Sequence, residues 1–264
     1  MKQIDTYISE KLKLNRDSAS KYNYYPKNDN ELKSIIIKLV KERGPDANLN
    51  DIDVSKITDM TKLFNEDPFS GIEIRNIDIS EWDVSNVESM QDMFEWCEEF
   101  NCDLSSWDVS NVENMSGMFT GCKNFNSDLS KWNVSKVTDI SSMFYSCKSF
   151  NSDLSNWDVS NVYNFTSTFS RCSKFNSDIS GWDVSSAECT MQMFNFCEKF
   201  NCDLSKWDVS NVTNMREMFM GCDKFNCDLS DWKINTKAKR MKGNMVNVFS
   251  LCRSLKKLPA WYKQ

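Results

Sequence analysis

Tryptophan returns every 25 residues along this chain, at Trp82, Trp107, Trp132, Trp157, Trp182, Trp207 and Trp232. Phe94, Phe119, Phe144, Phe169, Phe194 and Phe219 form a second column, and Cys97 to Cys222 a third at the same period. A fourth runs from Phe100 to Phe225. A strict period of this length is the mark of a stacked repeat array, in which each unit packs only on its neighbours. It assigns most of the chemically suggestive side chains to core rungs.

The unit reads FNxDLSxWDVSNVxxMxxMFxxC. Val112, Met115, Phe119 and Cys122 follow at spacings of 3, 4 and 3, which predicts a short helix with one apolar face. Leu104, Trp107 and Val109 precede them and predict a short strand. With only 7 glycines, the turns must rely on Asn, Asp and Ser side chains bonding nearby backbone. The expected fold class is therefore an α/β repeat solenoid of about eight strand–turn–helix rungs. Residues 51–230 hold the regular array, and 231–264 an atypical last repeat with a basic cap. In that cap Phe249, Cys252 and Leu255 follow the columns at a spacing of 30, and Trp261 and Tyr262 are placed to close the last rung. Residues 1–50 carry no repeat and form a helical cap. Leu32, Ile35, Ile36, Leu39 and Val40 give its helix an apolar face, Asn28 or Asp29 starts it and Gly44-Pro45 stops it.

The stretch DLSSWDVSNVENMSGMFTGCKNFN and its near copies resemble the repeat of BspA-like leucine-rich-repeat surface proteins, a unit also found in mycoplasma-type lipoproteins. The resemblance covers roughly residues 52–255. It implies a leucine-rich-repeat-like right-handed superhelix that binds other macromolecules, often as a surface adhesin. It carries no catalytic motif.

Composition narrows the function further. There is no histidine, which removes Ser-His and Cys-His nucleophiles and His-based metal sites. No phosphate-cradling glycine loop is present. The expectation is a non-enzyme without cofactor or metal. The net charge of −6 argues against general nucleic-acid binding, but it is unevenly spread. Residues 49–230 carry 13 basic and 30 acidic side chains, a net of −17, whereas 231–264 carry 9 and 1, a net of +8. No run approaches transmembrane length and no signal-peptide core is visible. The chain is therefore expected in the cytoplasm, or delivered by another system. The 11 cysteines, odd in number and mostly on one core column, are expected as reduced thiols.

Two aspartate columns, Asp103 to Asp228 and Asp83 to Asp208, are the metal candidates, since calcium would relieve stacked carboxylates. The competing assignment makes each Asp the acceptor for backbone N–H groups in its own turn. The asparagine column from Asn101 to Asn226 is read as buried amides bonding the ends of the rungs.

Function in a repeat array belongs where the repeats differ. Trp96, Tyr145, Arg171, Phe196 and Met220 stand at the two variable positions between the column Phe and Cys. With Tyr163 they make the candidate interaction ridge, because Trp, Tyr and Arg anchor interfaces. Lys237, Lys239, Arg240 and Lys242 make a candidate basic patch. The expected function is a protein–protein interaction scaffold whose acidic body favours a basic partner, with self-association open. A surface adhesin and a virion or filament component are the alternatives.

Overall fold

A computed structural model describes residues 21–65, 74–241 and 243–262. Two helices are present among them, α1 (Asp29–Arg43) and α2 (Thr236–Arg240). The repeats contribute none. Among the described residues the strand-like pairings are isolated parallel bridges, most of which run Asp59–Ser89–Asn114–Asp139–Asn164–Cys189–Asn214 from rung to rung. The expected α/β solenoid, a leucine-rich-repeat-like right-handed superhelix of strand–turn–helix rungs, is thus overturned. The rungs are built from consecutive tight turns.

The rung 101–125 shows how. Trp107, Val112, Met118, Thr120, Cys122 and Phe125 each donate their backbone N–H to the carbonyl three residues back, at 2.9 to 3.3 Å. The stretch expected to be a helix closes three of these turns in series, and in between it turns to its neighbour. Met115, Gly117, Phe119 and Gly121 donate to Asp139, Ser141, Met143 and Tyr145 of the next rung at 2.7 to 3.0 Å. Alternate N–H groups thus serve the turn and the neighbour, so the ribbon's backbone donors are satisfied without a helix. A helix would send every N–H back four residues. It is excluded here by positive φ at every fourth residue, 64° at Gly117 and 77° at Gly121. The expected strand fails for a similar reason: Leu104 accepts from Trp107 across a turn and so cannot extend.

The same apolar columns nevertheless make the core. Leu104, Trp107, Val109, Val112, Met115, Met118, Phe119, Cys122 and Phe125 are all buried. Column phenylalanines stack between rungs, with Phe94–Phe119 centroids 5.6 Å and Phe119–Phe144 5.8 Å apart. Each tryptophan of the repeat column also ties two rungs together, as when Trp132 Nε1 donates to the Leu104 carbonyl at 3.0 Å. Trp261 continues that column, stacking on Trp232 at 6.1 Å and donating to Leu229 at 2.7 Å.

The cysteine column combines packing with a hydrogen bond. Cys147 is buried, and its Sγ donates to the Phe119 carbonyl of the preceding rung at 2.9 Å. Burial pushes this thiol well above its ordinary pKa, and the same holds for Cys172 and Cys197. No disulfide joins any of the 11 cysteines.

Helix α1 starts at Asn28, whose side chain accepts from the Glu31 N–H at 2.9 Å. It ends at Gly44, which holds φ 93°. Leu32, Ile36, Leu39 and Val40 are buried against the core. Arg43 closes the join with two bonds of 2.8 Å to the Asp51 carboxylate, which the guanidinium holds down at a pKa of about 2.

Candidate functional site

The turn ribbon of each rung places its left-handed residues in two columns. One holds Asp92, Gly117, Ser142, Ser167, Gln192 and Glu217, and the other Trp96, Gly121, Ser146, Arg171, Phe196 and Gly221. The non-glycine members have φ between 51° and 64°. This conformation costs an L-residue roughly 1–2 kcal/mol. Serine and glycine both occur in either column, Ser142 and Gly117 in the first and Ser146 and Gly121 in the second.

Where a large side chain stands instead, a glycine often follows one rung later. A Cβ on Gly121 would lie 2.3 Å from Trp96 Cε3, so the indole lies across the glycine. Phe196 lies across Gly221 in the same way, with Cδ1 at 2.6 Å from the same imagined atom, and Asp92 lies across Gly117. Trp96 remains 44% exposed, although it is a large apolar side chain next to a filled core. The Arg171 guanidinium sits 5.8 Å from the Phe196 ring centroid.

The ridge read from the sequence is therefore divided. Trp96, Arg171 and Phe196 share one column. Tyr145 and Met220 belong to the column beside it and are half-buried. Their counterparts Thr120, Ser170 and Asn195 are buried. Tyr163 is 46% exposed but occupies a different strip, where its N–H donates to Thr138 and its carbonyl accepts from Glu188.

Gln192 and Glu217, beside this column, escaped the sequence reading. Glu217 accepts from Gln192 Nε2 at 2.7 Å and from Arg216 Nε at 3.1 Å, and these bonds, with Gln192 first, hold its pKa down. Glu95 accepts from Asn65 at 2.6 Å, yet burial, helped by the nearby Asp92 charge, raises its pKa. The signal that could have located Gln192 and Glu217 is the pairing of Asp92 with Gly117 one period on in the same column.

The aspartate columns form turns. Asp103, Asp128, Asp153, Asp178, Asp203 and Asp228 each accept the N–H of the serine two residues on, at 2.9 to 3.0 Å. Asn133, which interrupts the second column, makes the same bond to Ser135 at 3.2 Å. A neutral amide oxygen thus serves where a carboxylate stands elsewhere. Among the described residues, no three His, Cys, Asp or Glu side chains group as a metal site would require. The Asn101 column is exposed and not buried, each Oδ1 up to Asn201 accepting the backbone N–H of the next asparagine, as in Asn126 to Asn101 at 2.8 Å, and Asn226 accepting from Lys256.

At the far end, Asn235 caps α2 by accepting from the Lys237 N–H at 2.8 Å. Lys237 and Arg240 are exposed on α2. Lys242 and the Lys239 side chain lie outside the described residues.

The family of Mycoplasma proteins of unknown function designated DUF285 matches residues 38–156 and again 142–261. The chain belongs to this family. The matched stretches begin within α1 and run through the last rung. No curated protein and no solved structure matches the chain. Among the described residues, no helix is long and apolar enough to cross a membrane.

Proposed function

We propose that this chain is a non-catalytic scaffold that binds a protein partner along the Trp96–Arg171–Phe196 column. One observation carries this reading. Bulky anchors stand in left-handed positions that the rung itself fills with glycine or serine. Trp96 and Arg171 keep large side chains exposed at these positions, where Ser146 holds the same backbone conformation with a small one. Trp and Arg are also the residue types that dominate interface energetics. The acidic body, −17 over residues 49–230, steers a basic partner toward this face. Kinship with the BspA-like leucine-rich-repeat unit, read from the W-D-V-S-N-V pattern, belongs to the same proposal and agrees with a binding role.

The test is affinity capture with a Trp96→Ser, Arg171→Ser, Phe196→Ser variant, using serine because Ser146 already occupies the position. A basic protein retained by wild type and lost by a variant of unchanged unfolding midpoint supports the proposal. Equal retention by both removes the column from the binding surface.

A further inference from the structure

The two aromatic anchors of the left-handed column are not equipped alike. Phe196 carries a cation of its own chain, the Arg171 guanidinium one rung before it, at 5.8 Å from the ring centroid. Over Trp96 no cation stands among the described residues, although an indole holds a cation better than a phenyl ring does. Three atoms of its six-membered ring, Cδ2, Cε3 and Cζ3, lie within 2.9 Å of where a Cβ on Gly121 would stand. One face of the indole thus rests on the glycine. With the residue 44% exposed, the opposite face meets solvent.

Negative charge flanks this ring without enough positive charge to match it. Glu95 bonds to neutral groups, accepting from Asn65 Nδ2 at 2.6 Å and from the Trp96 side chain. Burial first, and then the charge of Asp92, push the Glu95 pKa up, and Lys62 offsets this only in part. Lys62 Nζ stands 3.9 Å from Asp92 on an exposed side chain, so one loosely held cation serves two carboxylates. Farther along the same segment, Glu98 has Lys123 at 2.5 Å and Glu99 has Arg75 at 4.0 Å. The excess negative charge therefore falls at Asp92 and Glu95, on the indole's side.

We infer that Trp96 is a receptor for an arginine side chain of the basic partner. The guanidinium stacks on the open face of the indole and donates to the Glu95 carboxylate beside it, and Asp92 adds its charge. The contact repeats between two molecules what Arg171 and Phe196 make within one. Arginine fits better than lysine, because a planar guanidinium lies flat on a ring while its N–H groups reach sideways to a carboxylate. An ammonium keeps its hydration more tightly and cannot stack. This inference rests on the reading of the column as a protein-binding surface, and it names the side chain that the surface takes.

The test titrates the full chain with a fluorescein-labelled (Arg-Ser)₄ peptide, with (Lys-Ser)₄ as a control of equal charge. It reads anisotropy and the indole N–H resonance of Trp96, assigned by its loss in Trp96→Ser. The arginine peptide should bind saturably, shift that resonance, and bind about threefold or more tightly than the lysine peptide. Trp96→Ser should remove this preference, and Glu95→Gln, which keeps an acceptor for Asn65, should weaken the arginine peptide about threefold or more. Arg171→Ser with Phe196→Ser should leave it unchanged. Equal affinity for the two peptides, absence of saturable binding, an unmoved Trp96 resonance, or full binding by Glu95→Gln would each overturn the inference. Any of these, with the captured partner still lost in the triple serine variant, would leave the column as a binding surface and remove only the arginine. A partner retained by that variant, with arginine-selective binding at Trp96 intact, would remove the column and keep the receptor.

Discussion

Gly121 offers the most direct test of how the ribbon is built. It holds φ 77° and donates to the Tyr145 carbonyl at 2.7 Å, while the Trp96 indole covers it. Alanine there faces two separate penalties. The left-handed backbone costs an L-residue about 1–2 kcal/mol. The new Cβ also falls 2.3 Å from Trp96 Cε3 and 2.9 Å from Cδ2, so the ring must leave its seat, an overpacking cost of about 1–3 kcal/mol. Gly121→Ala in the wild-type background should therefore lose roughly 2–5 kcal/mol. In a Trp96→Ser background the steric part disappears and the loss should fall to about 1–2 kcal/mol. Ser146 and Arg171 show that the fold accepts a side chain at this position. The assay is urea unfolding followed by far-ultraviolet circular dichroism for the wild type, both single variants and the double variant. A coupling of about 1–3 kcal/mol is expected. Additivity within about 0.5 kcal/mol would show that Trp96 does not rest on Gly121, and would refute the account of the exposed column.

Two further outcomes follow from the turn chemistry and the α1 join. Asp128→Asn should keep stability within about 0.5 kcal/mol, because Asn133 makes the same bond, whereas Asp128→Ala should cost about 1 kcal/mol. A calcium-dependent rise in the urea midpoint of wild type that is absent in Asp128→Asn would reverse that reading in favour of a metal. Asp51 has its folded pKa lowered from 3.8 to about 2 by Arg43, so its contribution is present above the unfolded value and is lost as pH falls through the folded one. Arg43→Gln should therefore cost on the order of 2 kcal/mol at neutral pH. The wild type and variant should converge between about pH 4 and 2, a convergence that unfolding midpoints across pH would show absent if the pair contributed nothing.

What the sequence settled by itself is the period and what lies inside it. The columns of Trp, Phe, Val, Met and Cys are buried because apolar residues repeating in register can stack only on themselves. Helix α1 was equally legible, since its capping residue, apolar face and terminal glycine are all local signals. The backbone of the rungs was not. A spacing of 3, 4 and 3 fits one face of a helix, and it fits a ribbon of turns equally well. The choice rests on where alternate N–H groups go, and half of those partners lie 24 residues ahead, beyond the reach of any local pattern. Likewise Trp96, Arg171 and Phe196 could be picked out as variable positions. Their sharing of one left-handed column, apart from Tyr145, Met220 and Tyr163, was decided by the alternation of the ribbon.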